Sequence, residues 1–341
     1  LPFPQALQET LVSRLEEIRR LPETDSLGVR EALSRRYGLS PAHFLVGGGT
    51  TEWIYTLPRV LKPRKVVVPL PTYADYADAA GLAGCPVETI GPWAEGEGAS
   101  GADLVDPLRH AATDGSLVCL CNPNNPTGRF FPPDVLAAVI GDRPGAAWMV
   151  DETYAPFVAE DAESSLLARR LPPNLVVLRS FSKIYAIPGL RLGYAAGAPD
   201  MIGLLARVAR PWSVNRLAQL AGEFLLAHPG HEERVREYCR KEKRRFLESI
   251  GRCAFLRAVP SACHFILFQV SRPWSAAALA AALRREGMLI RDCGNFAGLD
   301  GEYVRMSLGT GSNNDILISI LEKFSSQGEV TMVSERVPPA G

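Results

Sequence analysis

The chain has 341 residues, room for one large domain and a smaller one, and its 37 basic and 37 acidic residues leave a formal net charge of zero. That balance speaks against a nucleic-acid or anionic-membrane partner, and no apolar run approaches the roughly 20 residues that span a bilayer. Seven scattered cysteines and five dispersed histidines, none with zinc spacing, argue against a metal site and for a reducing, cytoplasmic setting.

Residues 1–20 read as an amphipathic helix with Leu7, Leu11, Leu15 and Ile18 on its apolar face. From about Asp25 to Asp200, strands alternate with helices, which predicts an α/β fold with a parallel sheet. Gly47-Gly48-Gly49-Thr50-Thr51-Glu52 precedes a helical pattern at Trp53, Ile54 and Leu57. Glycines there let backbone N–H groups approach a phosphate, and a helix N-terminus adds a favourable dipole. Taken alone, the same run reads as a flexible turn.

Three apolar runs follow. Residues 117–121 stop at Asn122-Pro123-Asn124-Asn125-Pro126-Thr127-Gly128. Residues 147–150 stop at Asp151-Glu152-Thr153-Tyr154. Residues 175–178 open into Ser180-Phe181-Ser182-Lys183, with Arg191 eight residues further on. Runs apolar on both faces are central strands of a parallel sheet, and such sheets bind ligands past the carboxyl ends of their strands. Asn125, Asp151 and Lys183 each fall just past such an end. Each also has a plainer reading, as a turn, a helix cap or a solvated loop lysine. Their common placement favours one site. An amine, two hydroxyls and a guanidinium suit a phosphorylated aldehyde: the amine forms a Schiff base while the others hold phosphate. Pyridoxal 5'-phosphate has that chemistry.

The stretch 201–246 is helical and charge-rich, and its basic run at 240–245 reads as a solvated helix face. A small α+β domain is expected beyond it, with strands over 262–268, 288–291 and 303–308 and helices over 275–285 and 314–324. From Ser325 the chain lacks periodicity and is expected to be peripheral. The expected division is 22–204 for the large domain, 1–21 with 205–324 for the small domain and its linking helix, and 325–341 for the tail. Arg291 ends one small-domain strand and Arg305 lies within the next. A guanidinium in an apolar strand is costly unless paired, so it is either a structural ion pair or a bidentate anion receptor.

These motifs together resemble the class I/II aminotransferase family of fold-type I pyridoxal phosphate enzymes, from about Tyr37 to Phe324. The resemblance implies a large domain with a mostly parallel sheet flanked by helices, plus a smaller α+β domain. It implies that Lys183 carries the cofactor and Asp151 pairs with its ring nitrogen. Asn125 and Tyr154 would bond the ring 3-oxygen, and Tyr73 would stack on the ring. Thr50, Thr51, Ser180, Ser182 and Arg191 would bind the phosphate. Arg305 would hold the substrate α-carboxylate, with Arg291 taking a second anion and Asn125 also at the substrate.

The stretches 49–56, 71–76, 185–194, 211–215 and 290–299 resemble the threonine-phosphate decarboxylase branch, which belongs to cobalamin biosynthesis. Histidinol-phosphate aminotransferases are its near relatives, and transamination is the alternative reaction. Gly309-Thr310 follows Arg305-Met306-Ser307-Leu308, where the decarboxylase pattern has a second arginine. A non-catalytic cofactor-binding module is a remote alternative. A homodimer is expected, with Tyr37 or Tyr55 of the neighbouring chain reaching the phosphate.

Overall fold

The computed structural model describes residues 3–91, 102–299 and 301–334. Its main element is a seven-stranded sheet: β1 (Phe44–Gly47), β2 (Lys65–Pro69), β3 (Val87–Ile90), β4 (Ser116–Cys121), β5 (Ala147–Asp151), β6 (Leu175–Ser180) and β7 (Gly193–Gly197). The order is β1-β7-β6-β5-β4-β2-β3. From β3 across to β6 all neighbours are parallel, while β7 runs antiparallel to both β6 and β1.

Every residue of β4 and of β6 is buried. The two faces of these strands feed two different cores. Val118, Leu120, Trp148, Val150 and Val177 pack on one side with Leu136, Val139 and Ile140. Leu117, Cys119, Met149, Val176 and Leu178 pack on the other with Trp53, Ile54, Leu57 and Tyr76. Alternate residues thus enter opposite cores, which is why the strands read as unbroken apolar runs.

β1 points the same way as β6, because each is antiparallel to β7. Gly193 of β7 therefore pairs with Gly47 on one side and Ser180 on the other. The glycine-rich turn after β1 is brought beside the Ser180 loop. Gly193 itself permits this approach, since a Cβ there would lie 2.9 Å from the Thr50 backbone nitrogen.

A second, antiparallel sheet contains β8 (Leu256–Ala258), β9 (Phe265–Val270), β10 (Arg291–Asp292) and β11 (Tyr303–Ser307), in the order β10-β11-β9-β8. Helices Ala276–Arg285, His231–Ile250 and Gly311–Ser334 accompany it. No helix of the described residues is long and apolar enough to cross a membrane.

Several expected elements shift. The first helix is Gln5–Ser13, followed by a 3-10 turn at Leu15–Arg19. The tighter turn breaks the 3.6-residue stripe, so Leu7 is buried while Leu15 and Ile18 are exposed. The strand expected over 262–268 starts only at Phe265. Ser261 bends the preceding segment by accepting from the Cys263 nitrogen at 3.1 Å and donating to the Phe265 carbonyl at 2.6 Å. The strand expected over 288–291 is reduced to Arg291–Asp292, and Leu289 before it is exposed. The closing helix, expected over 314–324, spans Gly311–Ser334, so helical backbone continues past Ser325 into the segment expected to be a peripheral tail without periodicity.

Candidate active site

A cavity of about 340 Å³ opens at the carboxyl edge of the large sheet, within the usual range for small-ligand sites. Eleven of the twelve residues expected at the site line it: Thr50 and Thr51 at one end, Ser180, Ser182, Lys183 and Arg191 beside them, then Asp151, Asn125, Tyr73, Tyr154 and Arg305. Arg291 is not among the lining residues.

At the first end, helix Thr50–Leu61 starts at the cavity, with Gly49, Thr50 and Thr51 in its lining, and Glu52 accepts from the Gly48 nitrogen at 2.7 Å. Gly49 precedes the helix at φ +100°, a conformation that disfavours side chains, and a Cβ there would stand 2.7 Å from Arg191 Nη2. Arg191 also adopts a left-handed backbone, with φ 57°. Its guanidinium makes one hydrogen bond in the described structure, to the Pro188 carbonyl at 3.3 Å. The remaining donors are left for an anion at the helix N-terminus. Ser180 Oγ accepts from the Ser182 nitrogen at 3.1 Å, which turns the chain so that Lys183 follows into the cavity.

Asp151 ends β5 with both carboxylate oxygens engaged. Oδ1 accepts from the Thr153 nitrogen at 3.0 Å, and Oδ2 accepts from Tyr76 Oη at 2.9 Å. Burial pushes its carboxyl pKa up, while the bonds from Thr153 and Tyr76 and the Lys183 charge pull it back. Burial pushes the Lys183 amine below its usual value. The charges of Arg305 and Arg191 add to that, and Asp151 opposes it. An amine with a lowered pKa has more of the neutral, nucleophilic form near neutral pH.

The opposite wall comes from the small sheet and the loop after β4. Arg305 Nη1 donates to Asn125 Oδ1, and the guanidinium lies 5.0 Å from the centre of the Phe265 ring. Its Nε is buried without a partner. Tyr154 packs edge-on against Phe265 at 4.9 Å, and burial raises its hydroxyl pKa. Asn124 fixes the Asn125 loop by donating to the Pro71 carbonyl at 2.8 Å and accepting from Thr72 Oγ1 at 2.7 Å. Tyr73 meets Tyr76 edge-to-face at 5.7 Å.

Arg291 is exposed, donates to Asn295 Oδ1 at 3.0 Å and lies 5.5 Å from the Phe296 ring. It is the ladder partner of Arg305, so both side chains leave the same face of the small sheet. Three further lining residues, Tyr76, Cys121 and Thr153, were not singled out as site residues from sequence. Thr153 sits two residues after Asp151, the spacing of a local Asx turn. Tyr76 follows Tyr73 by three residues, at the start of helix Asp75–Leu82. No cluster able to hold a metal occurs among the described residues.

The family model described as aminotransferase class I and II matches residues 2–321. The chain belongs to that family. It is 33% identical over 328 residues to the threonine-phosphate decarboxylase of Salmonella typhimurium, covering 94% of this chain and 87% of the relative. It is 35% identical over 332 residues to the histidinol-phosphate aminotransferase of Symbiobacterium thermophilum, covering 96% and 88%. The crystal structure of L-threonine-O-3-phosphate decarboxylase from Porphyromonas gingivalis superposes with a TM-score of 0.82 at 31% identity, covering 94% of this chain and 95% of that one.

As a class I and II aminotransferase family member, the protein is an enzyme dependent on pyridoxal 5'-phosphate. The cavity fits that group. It offers a buried carboxylate, a lysine amine of lowered pKa, an aromatic side chain, and hydroxyls and a guanidinium gathered at a helix N-terminus.

Proposed function

We propose that the enzyme acts on a phosphorylated amino acid and decarboxylates L-threonine O-3-phosphate to (R)-1-aminopropan-2-ol phosphate. The observation that carries this reading is Arg305 in the cavity wall with Arg291 beside it on the same sheet face. A substrate with a carboxylate and a phosphate needs two such receptors, and a guanidinium fork grips either group bidentately.

Each side chain then has one task. Thr50, Thr51, Ser180, Ser182 and Arg191 hold the cofactor phosphate. Asp151 keeps a proton on the ring nitrogen, because a carboxylate beside that nitrogen favours its charged form. Asn125 and Tyr154 would bond the ring oxygen, and Tyr73 would pack on the ring. Lys183 would attach the cofactor, and its Nζ, an amine of lowered pKa in the cavity, would move a proton at the substrate α-carbon. The cofactor, when bound, supplies an electron-accepting ring that takes up the charge left at the substrate α-carbon. Arg305 holds the α-carboxylate and Arg291 the phosphate. Where they hold these groups would decide which bond at the α-carbon is presented for cleavage.

Transamination of the histidinol-phosphate type is the second reading, and one observation favours it. After β11 the chain carries Gly309, whose carbonyl accepts from Tyr238 Oη at 2.8 Å, where a further arginine would mark the decarboxylases. Purified enzyme incubated with L-threonine O-phosphate separates the two, with carbon dioxide and 2-oxo acid assayed together. Carbon dioxide released without an oxo-acid acceptor supports the decarboxylase. An inert phosphothreonine with turnover of histidinol phosphate and a 2-oxo acid supports the aminotransferase.

We also propose a homodimer. Tyr37 is committed within its own chain, its hydroxyl 2.9 Å from that of Tyr194. Tyr55 instead lines a cavity of about 740 Å³ that shares Thr51 with the cofactor cavity. Exposed Val208 lines that cavity, and Trp212 is exposed close by in sequence. A fully active monomer in analytical ultracentrifugation at micromolar concentration contradicts this.

A further inference from the structure

Beside the strand ends that carry Asp151 and Ser180 lies a chain of charges, Arg179 and Glu152 buried and Arg36, Asp161 and Glu232 half-buried, that none of these tasks uses. Arg179 precedes Ser180 on β6 and is almost wholly buried. It donates to Asp161 Oδ1 at 2.7 Å and to Glu152 Oε2 at 3.3 Å. Glu152 directly follows Asp151 and has no exposed surface. Asp161 Oδ2 also accepts from Arg36 Nη2 at 2.9 Å. Arg36 then grips Glu232 with two bonds, at 3.0 and 2.7 Å. Glu232 Oε1 finally accepts from Tyr185 Oη at 2.5 Å.

The chain of contacts starts one residue before Ser180 and returns two residues after Lys183. The loop that presents Lys183 is therefore tied at both ends to one set of ions. Those ions are anchored on separate elements: Arg36 on helix Leu27–Tyr37, Asp161 on the short helix Asp161–Ser164 and Glu232 on helix His231–Ile250. Ion pairs that are buried or half-buried add little stability over apolar residues of similar shape, because removing charges from water offsets much of their attraction. What they do supply is direction, since each guanidinium fork fixes the carboxylates it meets.

We propose that Arg179, Asp161, Arg36, Glu232 and Tyr185 form a positioning network. It sets the Ser180-to-Tyr185 loop, and with it the Lys183 amine, against Asp151. The inference rests on the role given above to Lys183. Tyr185 and Glu232 are positioning residues here, since they act through the loop and not on substrate.

Tyr185→Phe removes one hydroxyl and keeps the ring, which stacks on Phe181 at 5.7 Å and on His231 at 5.6 Å. Glu232→Gln removes one charge at constant shape. Asn174→Ala is the comparison variant: its amide donates to the Arg143 and Ala146 carbonyls near the amino end of β6, away from the site. The readouts are kcat and KM with L-threonine O-phosphate or, if that is inert, histidinol phosphate with a 2-oxo acid. The melting temperature and the pH midpoint of the holoenzyme's visible absorption band are measured alongside.

Tyr185→Phe and Glu232→Gln should each lower kcat roughly tenfold with KM little changed, and should move the pH midpoint of the band. The double variant should do no worse than the more severe single, because both break one link. Asn174→Ala should lower the melting temperature and leave kcat and the band alone. If the two network variants also change only the melting temperature, the network is structural and the inference fails. Additive losses in the double variant would overturn it too. Lys183→Ala separates the premises: inactive Lys183→Ala beside unaffected Tyr185→Phe and Glu232→Gln breaks this inference alone, whereas active Lys183→Ala breaks the Lys183 reading itself.

Discussion

On the large-sheet side of the cavity, Asp151 has both carboxylate oxygens bonded, and the loop carrying Lys183 is tied before and after it. On the small-sheet side, Arg305 has one bond to Asn125 and a buried Nε with no partner, and Arg291 stands exposed against Asn295 and Phe296. The carboxylate and the lysine loop of the first side are fixed by bonds within the chain, although Arg191 there keeps donors for an anion. On the second side both arginines keep donors. On the reading proposed above, the large-sheet side holds the cofactor, and the small-sheet arginines would choose the substrate and with it the reaction.

The comparison breaks most sharply at Lys183. Lys183→Ala should abolish the visible absorption of bound cofactor and lower turnover by a factor of roughly 10²–10⁴ or more. Absorption spectra and steady-state rates check this, and full activity would refute the site.

On the substrate side, Arg305→Lys should raise KM roughly ten- to a hundredfold, because a charge-assisted contact is worth about 1.5–3 kcal/mol and a point charge does not replace a fork. Cofactor affinity should change little. Equal losses of cofactor and substrate would merge the two halves of the site. Arg291→Ala should be milder and selective, weakening phosphorylated amino acids more than unphosphorylated ones. Equal effects on both classes would remove Arg291 from substrate binding.

The smallest effect concerns the support behind the cofactor side. Burial pushes the Glu152 carboxyl up to about 7 from 4.5, against the charge of Arg179. Between those values the folded chain binds more protons than the unfolded one. Its contribution to stability is complete below about 4.5 and is lost as pH rises to about 7. Denaturant melts across this window should show stability falling with pH by up to about 1.4 kcal/mol per unit from this group. Glu152→Gln should flatten that slope.

The same asymmetry governs what the sequence disclosed. Asn125, Asp151 and Lys183 were legible because β4, β5 and β6 are covered on both faces, so their apolar runs end where the site begins. Tyr76 was hidden because its hydroxyl reaches Asp151 from a helix distant in sequence. The placement of Arg291 was hidden as well. Its strand is a two-residue edge, with one ladder neighbour and no apolar pattern to reveal which way its side chain turns. The ion network was least legible of all. It joins residues from 36 to 232, and charges so far apart carry no periodic signal.

The most direct test of the account is release of labelled carbon dioxide from carboxyl-labelled L-threonine O-phosphate by the holoenzyme, with no 2-oxo acid present. The account predicts label in carbon dioxide, matched by (R)-1-aminopropan-2-ol phosphate, over many turnovers. Label retained in an organic acid, with turnover appearing only when a 2-oxo acid is supplied, would contradict it.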